Sequence, residues 1–300
     1  MYTAMLRATG DALTPSLISV LVCVLDVVFN FFLIFPTRPV ELFGTQIMMP
    51  GMGLGVVGAA IGTVSAELVA ASITMYILCF RSKELSLRID TGRFLPTWGV
   101  VKRALHISLP MGLQQTIMCS AYVMTTIIIA PLGTFAIAAN SFGIIIESLC
   151  YMPGYGIADA ATTLVGQSMG AGRHELMKRF AWLSVGLGVT VMAVMGVVMY
   201  VGAPTAMAMM TPAEEVRRLG VEVLRIEAFA EPMFAAAIVS YGVFVGAAKT
   251  LVPSIMNLVS IWGVRISLAA MLAPSMGLRG VWIAMCIELC FRGLIFLVKL

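Results

Sequence analysis

The chain has 300 residues, 60% of them hydrophobic and 11% charged, with a formal net charge of +4 and a mean hydropathy of +0.99. Soluble domains carry about 25% charged residues, so this composition excludes a soluble globular protein and makes lipid the solvent for most of the chain. The positive balance is not a nucleic-acid signal, because the placement of Lys and Arg follows membrane topology.

The first residues, MYTAMLRATGDALTPSLISV, form a polar hinge marked by Gly10 and Pro15 that leads straight into an apolar run. Apolar runs of roughly 20 residues predict about eight spanning helices and hence an all-α polytopic membrane protein. The spans fall at 14–35, 54–80, 105–130, 134–166, 181–201, 219–247, 252–273 and 278–298. The fourth is too long for a straight span and contains YMPGYG, Tyr151 to Gly156, which predicts a kink or a break there. In the sixth, Glu227 and Glu231 stack at i,i+4 and Pro232 follows, so a kink there turns both acids inward. The six cysteines all lie in or at the ends of apolar runs, without zinc-ligand or CxxC spacing, and read as small packing residues.

Orientation follows from the Lys and Arg residues of the loops. With the N-terminus in the cytoplasm, the inner side holds thirteen of them, Arg292 included, and the outer side holds four: Arg38, Arg217, Arg218 and Arg279. Both termini are therefore expected inside, in a multi-pass protein of the plasma membrane. Residues 81–104, the longest charged stretch, read as a cytoplasmic linker between residues 1–80 and residues 105–300.

The chain repeats itself. An offset of 238 aligns Pro15 with Pro253, Leu13 with Leu251 and Ser16 with Ser254, and GVVGAAIG from Gly55 matches GLRGVWIA from Gly277 at both leading glycines. Spans one and two thus recur, in the same direction, as spans seven and eight. Parallel repeats about an axis along the membrane normal are a transporter arrangement. Equivalent halves would put about four further helices before the first hinge, so the sequence reads as an N-terminally truncated chain.

Ionisable residues inside spans are costly and face a cavity or a partner. Asp26 lies near the middle of its span with Asn30 one turn on along the same face. A carboxylate and an amide oxygen suit a sodium ion, a desolvated carboxylate can carry a proton, and a structural polar contact is the alternative. Arg265 falls one residue from the repeat equivalent of Asp26 and needs an acid or a cage of carbonyls. Glu147, Glu227 and Glu231 are its candidate partners in a structural or gating role, and Glu147 is also a candidate for proton or substrate handling. The stretch LPMGLQQTIMCSAY offers Gln114, Gln115 and Met118 but no acid. There is no GxSxG, HExxH or P-loop pattern and no paired histidine, so an enzyme or an ATP-driven pump is not expected.

Several stretches resemble the MATE (multidrug and toxic compound extrusion) family. LRATGDALTP and its weaker echo FVGAAKTLVP resemble the family's two hinge loops, with Ala8 where the family usually has Gly. CVLDVVFNFFLIF resembles its fifth helix, with Asp26 where Asn is common, and IESLCYMPGYGIADAATTLVGQSMGAGR resembles its eighth. GVRISLAAML and GLRGVWIAM resemble the last two helices. The resemblance implies helices five to twelve of a two-lobe (6+6) fold: two full spans of the N-terminal lobe in residues 1–80 and a six-helix C-terminal lobe in 105–300. It also implies a cation-coupled antiporter, using Na+ or H+, that exports drugs or organic cations by alternating access. Expected coupling groups are Asp26 and Asn30, with Glu147, Glu227, Glu231 and Arg265 as polar or gating groups of the second lobe. A flippase for lipid-linked saccharides or another amphiphile, or a non-functional fragment, is the alternative. No cofactor beyond the coupling ion is expected, and no metal site unless Asp26 and Asn30 take Na+. The expected partners are a small-molecule substrate and the lipid bilayer, with the protein a monomer.

Overall fold

The computed structural model describes residues 6–7, 10–11, 13–42, 45–81 and 97–300. The chain divides into two compact units, Met1–Leu95 and Pro96–Leu300. Most of the proposed linker, 82–96, lies outside the described residues, and residues 98–104 belong to a helix.

The first unit pairs two helices, α1 (Leu13–Ile34) and α2 (Gly55–Tyr76), and α2 ends in a π-helical turn, Ile77–Arg81. Asp11 caps α1, accepting a hydrogen bond from the Thr14 N–H at 3.0 Å. The buried face of α2 consists of Gly58, Gly62, Ala66, Ala70 and Thr74, small residues four apart, which let the two backbones approach closely. Between the helices, where the sequence suggested only a loop, an antiparallel hairpin joins β1 (Pro36–Leu42) to β2 (Thr45–Met52). Its ladder satisfies backbone groups that a bare loop would leave to solvent.

The second unit is a helical bundle: α3 (Trp98–Ile129), α4 (Thr134–Gly170), α5 (His174–Met210), α6 (Glu214–Glu227), α7 (Glu231–Gly246), α8 (Leu251–Val259), α9 (Ser267–Met276) and α10 (Leu278–Lys299). A π-helical segment, Ser260–Ile266, joins α8 to α9 in one run. The expected break at YMPGYG is absent, because α4 runs unbroken through Pro153. Gly154 beside it packs on Met192 of α5, a close lateral contact on that stretch of the helix. The kink expected beside Pro232 is present, as a bend of 60° between α6 and α7. Among the described residues, seven helical runs are long and apolar enough to cross a membrane, and the bent α6–α7 pair makes an eighth. The core is densest around Trp282, Leu224, Val223 and Met207, with Trp282 packed into the space at Gly143 and donating to Asn140 Oδ1 at 3.1 Å.

The sequence repeat has a geometric counterpart in each unit. Gly10 takes φ +94° and Ala248 takes φ +55°, both left-handed and 238 residues apart. The bonds around them match as well: Gly10 N–H to Arg7 O and Asp11 N–H to Leu6 O in one hinge, Ala248 N–H to Val245 O and Lys249 N–H to Phe244 O in the other. Pro15 and Pro253 are both buried and both third in their helices, where no intrahelical donor is needed. Gly55 and Gly277 then open α2 and α10 with φ +53° and +61°. One turn on, a Cβ at Gly58 would strike the Leu33 carbonyl, and one at Gly280 would lie 2.5 Å from the Leu272 carbonyl oxygen.

Candidate functional site

In the first unit, Asp26 and Asn30 lie one turn apart on α1, both partly buried. The Oδ1 atoms of both are sealed from solvent and lack a hydrogen-bond partner. Asn30 Oδ1 occupies the space over Gly62, where a Cβ would lie 2.5 Å away. The absence of a side chain at Gly62 therefore admits the amide to the α1–α2 seam. The pair offers two oxygen donors, a fit for a hard monovalent cation. Among the described residues, no three His, Cys, Asp or Glu side chains group as metal ligands.

The second unit holds a larger set of buried charges. Glu227 is the last residue of α6 and Glu231 the first of α7, so the 60° bend separates them and they do not stack on one helix. The chain turns at Ala228 to Ala230, where the Ala230 N–H donates to the Glu227 carbonyl at 2.8 Å. Each acid is 1% exposed, and all four carboxylate oxygens lack a hydrogen-bond partner. Gly196 of α5 makes room for the Glu231 stem, which would stand 3.3 Å from a Cβ there. Glu147 of α4 is buried within electrostatic reach of Arg265 and Arg292, and Glu227 is within reach of Glu147, Arg265, Glu231 and Glu288. Arg265 projects from the π-helical segment and donates from Nη2 to the Met285 sulfur, while its Nε has no partner. It is thus near two of the three acids expected for it, without a hydrogen bond to either.

Sequence reasoning missed a buried ion pair of the unit. Glu288 and Arg292 lie one turn apart on α10, with side chains 0% and 9% exposed and Nε 3.1 Å from Oε1. That approach lacks hydrogen-bond alignment, and the aligned donor is Nη2 to Oε2 at 3.4 Å. Ser260 donates to Glu288 Oε1 at 2.6 Å. Arg292, counted above among the cytoplasmic charges, is instead a buried residue of the bundle, which lowers the inner count by one and leaves the balance on the same side. The available signal was an acid and a base at i,i+4 inside an apolar helix, the same rule applied to Asp26. Glu147, Glu227, Glu231 and Glu288 outnumber Arg265 and Arg292 by two, so the buried set carries more acid than base.

Beside these charges lies a cavity of about 380 Å³. Its wall comes from α3 (Met111, Gln114, Gln115, Met118), α4 (Tyr155, Asp159, Thr162), α7 (Phe234, Tyr241), Asn257 of α8 and Arg292 of α10. Tyr241 donates to Gln114 Oε1 at 3.2 Å, which ties α7 to α3 across the wall.

Comparison with known proteins places this geometry. A protein of Thermotoga maritima described as "Probable multidrug resistance protein NorM" is 28% identical over 298 residues, covering 98% of this chain and 61% of its own length. The same description applies to a Xylella fastidiosa (strain Temecula1) protein, 28% identical over 244 residues, 80% of this chain and 52% of its own length. The chain therefore spans less than two thirds of these relatives. The fold matches the crystal structure of the Vibrio cholerae MATE transporter VcmN in the bent form, with TM-score 0.82, 20% identity and coverage of 99% of this chain and 64% of that one. It also matches the outward-facing conformation of a multidrug resistance MATE family transporter of the MOP superfamily, with TM-score 0.85, 21% identity and coverage of 98% and 63%. The MatE family model aligns with residues 110–271, more than half of the sequence, and the chain belongs to the MatE family.

Proposed function

We propose that the protein is a cation-coupled secondary transporter of the plasma membrane, with both termini cytoplasmic, that exports organic cations and related amphiphilic drugs by alternating access. The observation that carries this reading is the pair Glu227 and Glu231, four partnerless carboxylate oxygens sealed at the bend of a broken span. Structural acids in lipid are paired, and acids left without partners mark ion pathways. The relatives described as multidrug resistance proteins support the choice of cargo.

An uncompensated buried carboxylate costs several kcal/mol, and a proton or Na+ bound at it removes that cost. Moving a two-state equilibrium from 1:99 to 99:1 takes about 5.5 kcal/mol, within the range that neutralising two such acids supplies. Glu227 and Glu231 thus convert cation occupancy into a preference between arrangements of the α6–α7 bend. In the first unit, Asp26 and Asn30 would hold the coupling ion through their two oxygens, and Arg265 keeps positive charge beside Glu147 and Glu227 when the acids are ionised. Coupling between drug and ion is then a difference in affinity between the two states, and it acts equally in both directions.

Ethidium accumulation in cells expressing the chain tests this. Expression should lower accumulation relative to empty vector, and Asp26→Asn, or Glu227→Gln with Glu231→Gln, should abolish the difference at equal protein levels. Export that persists in both variants, or no export by the unaltered chain, refutes the reading.

A further inference from the structure

We propose that Cys286 and Cys290 form a dithiol site for a trivalent arsenical, entered from the lipid-facing edge of α10. Both cysteines are free and stand one turn apart on one face of the helix. The Cys286 thiol donates to Cys290 Sγ, so the two sulfurs already face each other. Residues four apart on a helix hold their Cβ atoms about 5–6 Å apart, whereas a disulfide wants about 3.5–4.5 Å. A direct S–S bond would therefore distort the helix, and a bridge of one further atom fits the spacing as it stands. Arsenic(III) is such an atom: it is soft, as thiolate sulfur requires, and its bent bonds keep the two sulfurs on one side.

The surroundings suit a neutral, apolar adduct. Both cysteines are partly buried and pack against the core that contains Val223 and Leu224 of α6. The residue after each, Ile287 and Phe291, is exposed on the bundle surface. The pair thus borders the face that α10 turns to lipid, where a reagent dissolved in the bilayer arrives. Glu227 lies within electrostatic reach of both thiols, and its carboxylate oxygens have no hydrogen-bond partner, so a product with added negative charge would be repelled. The reaction of phenylarsine oxide adds none. Two As–S bonds form, the arsenic–oxygen bond breaks, and both thiol protons leave with that oxygen as water. Arsenic stays trivalent and no electron is transferred.

The test is adduct formation by the purified 300-residue chain in nanodiscs, with phenylarsine oxide as the probe and intact mass spectrometry as the readout. The chain should gain one phenylarsenic group in place of two hydrogens, hold it against excess mercaptoethanol and release it to ethanedithiol, which offers two thiols at once. Two linked contacts bind about 10²–10⁴ more tightly than either alone, so Cys286→Ser and Cys290→Ser should each weaken retention about a hundredfold or more. Replacing Cys23, Cys79, Cys119 and Cys150 together by Ala should leave retention unchanged, and melting temperatures separate loss of fold from loss of site. Tryptic mapping of the parental adduct needs no variant. Arsenic should fall on the fragment from Gly280 to Arg292, which contains Cys286 and Cys290 and no other cysteine. Arsenic mapped to another fragment, release by mercaptoethanol, or full retention in either Ser variant overturns the site. None of these readouts depends on export, so failure here leaves the efflux reading standing, and failure of export leaves the site standing.

Discussion

Replacing Arg292 by Met would leave Glu288 buried with Ser260 as its remaining hydrogen-bond partner. In the native structure the carboxylate accepts from Ser260 at 2.6 Å and faces the guanidinium at 3.1 Å, with side-chain exposures of 0% and 9%. Breaking one side of such a pair costs about 3–5 kcal/mol, because the surviving charge is left without compensation. Replacing both, Arg292→Met with Glu288→Gln, removes both charges and keeps an acceptor for Ser260, so the double variant should fall within about 1–2 kcal/mol of the parent. The coupling energy of the cycle is then at least about 2 kcal/mol, well above the ~0.5 kcal/mol within which independent sites add. Unfolding in mixed micelles, with midpoints and slopes fitted for all four proteins, measures it. The more exposed pair Arg279 and Glu222, bidentate at 2.7 Å, is the internal control and should show a coupling well below that of the buried pair. If the Arg292 and Glu288 effects simply add, the two side chains do not share a charge, and the charge balance of the buried set is wrong.

Two further perturbations test the frame that holds the charges. Gly62→Ala puts a Cβ 2.5 Å from Asn30 Oδ1 and 3.2 Å from its backbone nitrogen, so the α1–α2 seam must open, at a cost of about 1–3 kcal/mol that thermal melting should register. Ala248→Gly removes a left-handed alanine at an exposed helix end and should raise stability by about 1 kcal/mol, whereas Gly10→Ala in the matching hinge should lower it by a similar amount, both read from melting temperatures.

The spans were legible because lipid demands one thing of every crossing segment, an apolar run of about 20 residues. The hinge was legible because a left-handed turn followed by a helix start selects glycine and then proline. Other features depend on contacts distant in sequence. The residues between the spans at 14–35 and 54–80 read only as a loop, and a ladder between its two arms cannot be seen from either arm alone. Pro153 suggested a kink or a break in α4, yet the helix runs on through it, whereas the kink expected beside Pro232 is the 60° bend between α6 and α7. The π-helical segment carrying Arg265 left no local mark. Arg292 was misread for a different reason: a base two turns from a helix end looks like a topology signal until Glu288 is found one turn away.

The two halves of the repeat share a frame and differ in chemistry. Both hinges use a left-handed residue with the same two backbone bonds, both following helices carry a buried proline, and both return helices open on a positive-φ glycine and press a second glycine on a carbonyl. Each of these features answers a backbone constraint, and a substitution at any of them is met by the same steric cost in either half. The buried charges answer no such constraint. Asp26 on α1 stands at nearly the repeat position of Arg265, with the opposite charge. Residues that serve packing keep their places because the geometry recurs. Charged residues in lipid are costly, and in the proposed mechanism the two halves would contribute differently: oxygen donors for an ion from the first, and the acids at the bend from the second.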